Sequence, residues 1–150
     1  MPLKLYFFGK SREINERENE LIKRIGFREK IELVALPQAG TRDNKKNKTI
    51  EADNFLSKIK ENQFIIAFDE HGQQLNSLEF SRELKKALEN HKQVVFVIGG
   101  AFGLGEKILN KANLKLSMGK MVWTRNLARQ MALEQIYRAL EIAGGSNFHK

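Results

Sequence analysis

Val94-Val95-Phe96-Val97-Ile98, running into Gly99-Gly100-Ala101-Phe102-Gly103-Leu104-Gly105, is the stretch that decides the fold. An unbroken apolar run suits a strand buried on both faces, which in an α/β protein is an inner parallel strand. Ligands collect at the carboxyl ends of such strands, and glycines there let backbone amides approach a ligand that a side chain would hold off. A tight strand-to-helix turn with nothing bound would use the same glycines. Downstream, Leu114-Lys115-Leu116-Ser117-Met118 reads as another strand, and the segment Met118-Gly119-Lys120-Met121-Val122-Trp123 shows neither helical nor two-residue periodicity. It reads as a buried loop whose amides and carbonyls need partners, which the edge of an adenine ring supplies; core packing of Met121 and Trp123 is the other reading.

Working outward, residues 3–8 predict a first strand and residues 11–25 a helix capped by Ser11 and closed by Gly26. Residues 31–36 predict a second strand stopped by Pro37, then a loop over residues 40–48. Ala52, Phe55, Leu56 and Ile59 share one helical face. Residues 64–68 predict a third strand, with Asp69-Glu70-His71-Gly72 as its turn rather than an acid–base cluster. Helices are expected after Ser77, over residues 106–111 and over residues 127–143, and His91 should face solvent at a helix end. Strict alternation of strands and helices argues an α/β domain over residues 1–150, with a parallel or mostly parallel sheet covered on both faces.

At 150 residues the chain has enough length to bury a real core. No apolar run approaches a bilayer span and the N-terminus lacks a signal-peptide pattern, so a soluble, cytoplasmic protein is expected, with no membrane partner. The absence of cysteine removes disulfides, thiolate nucleophiles and Cys-ligated zinc, and the three scattered histidines lack ligand spacing; no metal site is expected. Lys and Arg total 26 against 18 acids, a formal charge of +8, which points to phosphate-rich partners. From Ala101 onward eight basic residues face three acids, and a second basic cluster, Thr41-Arg42-Asp43-Asn44-Lys45-Lys46-Asn47-Lys48, lies within reach of a nucleic-acid backbone if it is more than a solvated loop. There is no P-loop and no G-x-S-x-G elbow, and Gly103-Leu104-Gly105 lacks the third glycine and the position of a dinucleotide fingerprint.

Taken in order, Val97-Ile98-Gly99-Gly100, Gly103-Leu104, Leu116-Ser117-x-x-Lys120-Met121, Arg129, Glu134-Gln135-x-Tyr137-Arg138-Ala139 and the closing Phe148-His149-Lys150 resemble the ribosomal RNA large subunit methyltransferase H family of SPOUT methyltransferases. The resemblance implies a Rossmann-like, mostly parallel α/β sheet with a C-terminal trefoil knot, and a homodimer. It also implies S-adenosylmethionine as methyl donor, and N3-methylation of a pseudouridine in the helix 69 loop of 23S rRNA, in the 70S ribosome or the large subunit. The cofactor-contacting positions then fall on Phe68, Gly99, Met118, Gly119, Lys120, Met121, Val122 and Trp123. Arg129 is expected at a phosphate or oxyanion and His149 at the N3 proton, with Arg125, Arg138 and Lys150 on the RNA.

Two departures matter: Thr124-Arg125 stands where the family usually has Pro-His, and Phe148 where it has tyrosine. They motivate a second reading, a non-catalytic RNA- or ribosome-binding module, which predicts salt-sensitive RNA binding indifferent to cofactor. A nucleotide-dependent oxidoreductase is the remote third.

Overall fold

The computed structural model describes residues 2–100 and 102–145. Leu3–Phe8 (β1), Ile31–Leu36 (β2), Gln63–Gln73 (β3), Gln93–Ile98 (β4) and Leu114–Leu116 (β5) form one sheet in the order β2-β1-β4-β3-β5, with every neighbouring pair parallel. The helices are Glu16–Ile25 (α1), Asn44–Ser57 (α2), Ser77–Asn90 (α3), Glu106–Lys111 (α4) and Arg125–Ala143 (α5).

The unbroken apolar run of β4 follows from its place between β1 and β3. Val94, Phe96 and Ile98 point into a layer built with α1, α3 and α5, while Val95 and Val97 point into a second layer built with α2 and α4. A strand with helices on both faces has no polar side, so alternation disappears. The chain leaves β3 through α3 on the first face and leaves β4 through α4 on the second. Neighbouring parallel strands whose connections depart to opposite faces leave a crevice between their carboxyl ends, and here that crevice opens between Phe68 and Gly99.

Several element ends differ from the sequence pattern. Ser11 does not cap a long helix: Ser11–Glu13 is a single 3-10 turn, and α1 starts behind Asn15, whose side-chain oxygen accepts from the Glu18 N–H at 2.9 Å while Glu18 reaches back to the Asn15 N–H. A reciprocal capping box satisfies two otherwise orphaned amides and outcompetes a lone serine. The expected loop over residues 40–48 is half helix, because Asp43 caps α2 by accepting from the Lys45 and Lys46 amides at 3.0 and 3.2 Å. Likewise α3 is capped by Asn76 rather than Ser77.

The expected Asp69-Glu70-His71-Gly72 turn is instead a continuation of β3, which breaks register with β5 after Phe68 and regains it at Gln73. Gly72 permits this: a Cβ there would lie 2.6 Å from the Lys115 carbonyl oxygen, so the extended strand presses its backbone directly on β5. His91 is half-buried rather than solvent-facing; its Nδ1 lies 3.3 Å from the Ala87 carbonyl and its ring meets Phe64 edge-on at 5.1 Å.

Candidate functional site

A cleft of about 520 Å³ occupies the crevice, with its floor at Phe68, Ile98 and Leu116, which stand in register on three neighbouring strands. Phe68 is held by stacking on Phe96, ring centroids 6.1 Å apart and planes 24° apart. One wall is the backbone of Gly99, Gly100 and Gly103, which folds back on itself through a Gly103 N–H to Gly100 carbonyl bond of 3.1 Å. Gly103 sits at φ +82°, a left-handed conformation that glycine adopts without strain. A Cβ on Gly99 would meet the carbonyl carbon of Gly103 at 2.6 Å and the Leu104 nitrogen at 2.8 Å, whereas one on Gly100 would meet nothing. Gly99 is therefore required by the turn, and Gly100 is the position with free space.

The opposite wall is the segment after β5. Ser117, from the Leu116-Ser117-x-x-Lys120-Met121 motif, anchors it: the buried hydroxyl lies 3.0 Å from the carbonyls of Glu70 and Gly119 and accepts the Gly119 N–H at 3.1 Å. Gly119, at φ +123°, lets the chain turn there. The sequence signal was a small hydroxyl residue two positions before a glycine at a strand end.

Beyond this anchor the buried-loop reading fails. Met121 and Val122 are 75% and 78% exposed, with Trp123 at 39% and Phe102 across the cleft at 63%. All four still line the cleft, as do Met118 and Gly119. They form an apolar rim with nothing packed outside it in the single chain, because the backbone there belongs to neither helix nor sheet and no described element covers it. Lys120 is exposed and does not line the cleft. A second cavity of similar size adjoins the first across Leu116, Met118 and Gly119, and is walled by Phe80 and Met131 and by Ser77, whose hydroxyl lies 2.8 Å from Gln135 Oε1.

The cleft is acid-lined although the chain is basic. Asp69, Glu70 and Glu106 stand at it against Lys48 and His71, and His71 Nε2 lies 3.3 Å from Glu70 Oε1. The residues set aside as a turn are thus part of the site. Apolar floor and rim, glycine backbone and surplus carboxylate suit a flat ligand carrying positive charge. Among the described residues no group of three or more His, Cys, Asp or Glu is placed to hold a metal ion.

The arginines behave differently from expectation. Arg129 has no exposed surface: its Nε and Nη2 donate to the equally buried Glu18 carboxylate, Nη2 also donates to the Glu13 carbonyl at 3.2 Å, and the guanidinium stacks 4.4 Å from the Phe7 ring centroid. Enclosed in this way it has no face to offer a phosphate or an oxyanion, and it acts as a buried anchor joining α5 to α1. The sequence could not show this, since the partners are 111 positions apart. Arg125 is similarly committed, donating to both Glu13 carboxylate oxygens at 3.0 to 3.1 Å. Arg138 is half-buried on α5, interacts within the chain and does not line the cleft. Phe148, His149 and Lys150 lie outside the described residues.

Comparison with known proteins places these features in context. The family described as "Predicted SPOUT methyltransferase" matches residues 1–149. Ribosomal RNA large subunit methyltransferase H of Streptococcus suis (strain 05ZYH33) is 37% identical, covering 100% of both chains. The protein of the same name from Clostridium beijerinckii is 35% identical over 100% of both, and that from Caldicellulosiruptor saccharolyticus 35% over 94% of both. Among solved structures, a probable methylase family protein from Haemophilus influenzae Rd KW20 superposes with a TM-score of 0.58, covering 99% of this chain and 70% of that one. At 11% identity this likeness speaks for the fold alone.

Proposed function

This chain belongs to the SPOUT methyltransferase family, and from that membership we propose that it transfers a methyl group from S-adenosylmethionine to N3 of a pseudouridine in the helix 69 loop of large-subunit rRNA. The observation that carries the reading is the cleft itself, which brings Phe68, Gly99, Met118, Gly119, Met121, Val122 and Trp123 together from three separate chain segments. These are the positions the family resemblance marks for the methyl donor, with the exception of Lys120, which does not line the cleft.

The residues fit that group. The floor of Phe68 and Leu116 and the rim of Met121 and Trp123 offer an adenine ring two apolar faces, and the open side of Gly100 leaves its edge within reach of backbone amides and carbonyls. Asp69, Glu70 and Glu106 supply carboxylates for ribose hydroxyls and for positive charge. S-adenosylmethionine, when bound, supplies an activated methyl on a sulfonium, so the protein's task is alignment and exclusion of water. The apolar mouth serves the exclusion once a partner surface covers it.

The N3 proton must leave before or as the new N–C bond forms. His149, on the closing tail, is the imidazole we assign to it, with Lys150 on the neighbouring phosphate. His71, whose Nε2 lies 3.3 Å from Glu70 Oε1, is an imidazole that lines the cleft. Thr124-Arg125, the departure that motivated a non-catalytic module, is a structural joint: Arg125 is spent on Glu13 and does not line the cleft. Its presence therefore leaves the cleft intact.

We further assign this chain to a homodimer in the cytoplasm, folded as one methyltransferase domain with the family's trefoil knot. The dimer is supported by the uncovered rim of Phe102, Met121, Val122 and Trp123, apolar surface of the kind that marks an interaction site. The test of function is methyl transfer from labelled S-adenosylmethionine to large-subunit rRNA from a strain lacking the modification, with the product located by mass spectrometry. An unlabelled RNA would contradict the reading.

A further inference from the structure

We propose that Arg42, Lys45, Lys46 and Lys48, on the turn before α2 and along its first turns, form a cationic strip that grips the sugar–phosphate backbone of the RNA substrate beside the cleft. The identification of the polyanion as the substrate RNA rests on the methyltransferase reading; the strip itself rests on unpaired charge, an inverted helix terminus and proximity to the cleft.

The four side chains are exposed or half-exposed, and none of them forms an ion pair among the described residues. The contrast with Lys107 on the adjoining α4 is direct, since Lys107 is paired with Asp53 at 2.8 Å. The single acid inside the strip, Asp43, has its carboxylate committed to the amides of Lys45 and Lys46. The helix terminus itself is thereby capped, so the ammonium and guanidinium groups, not the helix amides, are what the surface offers.

The placement runs against helix stability. Cations in a first turn oppose the helix dipole. In keeping with that rule α1, α3 and α4 each carry glutamate in the first turn; α5 carries none, but its Arg125 is paired with Glu13, whereas α2 carries none and has the unpaired Lys45 and Lys46 there instead. A local preference broken without a compensating intramolecular contact points to an external partner. Ile50, 42% exposed, is the one large apolar side chain exposed on this helix, so the surface lacks the aromatic or aliphatic anchors of a protein interface.

The strip is also fixed relative to the reaction site. Lys48 lines the cleft, and its carbonyl oxygen would lie 2.7 Å from a Cβ on Gly105, so α2 is seated directly on the glycine-rich segment that forms the cleft wall. A backbone held along Lys48, Lys45, Lys46 and Arg42 would leave its flanking base at the mouth. Phosphate contacts of this kind set register without reading sequence.

The test is a titration of a synthetic RNA stem-loop carrying the helix 69 sequence against full-length protein at several salt concentrations. The Arg42→Gln/Lys45→Gln/Lys46→Gln variant spares Lys48 because that residue touches the cleft. The strip predicts that its RNA affinity falls on the order of tenfold near 0.1 M salt and that the slope of log K against log salt shrinks by about 2. Affinity for S-adenosylmethionine should stay at the wild-type level, the thermal midpoint should not fall below it, since removing cations from the first turn relieves the helix dipole, and Lys45→Arg/Lys46→Arg should keep the wild-type slope. A triple variant with unchanged RNA affinity and slope overturns the proposal, as does poly-glutamate competing as well as RNA of equal charge. Failure of the parent reading looks different: wild-type protein would then show the strip-dependent slope but neither bind S-adenosylmethionine nor methylate.

Discussion

A Cβ placed on Gly99 would stand 2.6 Å from the carbonyl carbon of Gly103, closer than any real side chain tolerates. This contact separates two glycines that look equivalent in the sequence. Gly99→Ala must push the loop backbone aside, at a cost of about 1–3 kcal/mol as in other overpacked sites, and should lower the thermal midpoint. Gly100→Ala meets open space and should leave the midpoint unchanged. Loss of ligand binding in a Gly99→Val variant would therefore report a broken loop, not a blocked ligand.

The Glu18–Arg129 pair predicts a strong coupling. Both side chains are fully buried, and Arg129 Nη1 has no hydrogen-bond partner. Arg129→Met leaves a buried carboxylate without its counterion and should cost about 3–5 kcal/mol, read from urea denaturation. Adding Glu18→Leu to that variant should recover much of the loss, because desolvating two charges offsets most of what their attraction gains. A double variant no better than the single would show the pair to be net stabilising.

Acid stability should depend on Glu13. Burial is the largest single influence on its carboxyl and raises the pKa, but the Arg125 hydrogen bonds, the Lys10 amide and the charges of Arg125 and Arg129 together hold it below the ordinary 4.5. A depressed carboxyl contributes stability that is present above its unfolded value and is lost as pH falls through the folded one. Arg125→Gln should accordingly be destabilised at neutral pH and converge on wild type at strongly acidic pH in pH-resolved thermal melts. Glu51 has the opposite sign: burial raises its pKa, against the Ala39 amide and Arg125, so its charged form is disfavoured in the fold. Glu51→Gln should relieve that penalty and stabilise the protein above the carboxylate range.

The apolar rim predicts the assembly state. Val122→Glu places a charge on a residue that is 78% exposed in the single chain, so the folded monomer should tolerate it. If the rim is the dimer contact, light scattering will show wild-type dimers and variant monomers. Dimers in both would put the contact elsewhere.

How much of the fold and site is legible in the sequence depends on how local each cause is. The apolar run at residues 94–98 and its glycine tail mark an inner strand with a cleft at its end, because burial on both faces leaves a one-dimensional signature. The same holds for the helix faces. Asp69-Glu70-His71-Gly72 has the composition of a turn, and contacts with the distant end of β5, Gly72 against Lys115 and the Ser117 N–H on the Gln73 carbonyl, keep it in the sheet. Met121 and Val122 read as buried because an apolar side chain in a loop signals burial, while its actual partner need not be in the same chain. Arg129 reads as a substrate contact because nothing local distinguishes a cation facing Glu18 from one facing a phosphate.

The most direct test of the account is calorimetric titration of S-adenosylmethionine into wild-type protein and into Gly100→Val. Saturable binding to wild type, weakened at least tenfold in a Gly100→Val variant whose thermal midpoint is unchanged, is the predicted result. Absence of saturable binding to folded wild-type protein, or equal affinity in the two, would contradict the assignment of the Phe68–Gly99 crevice as the methyl-donor site.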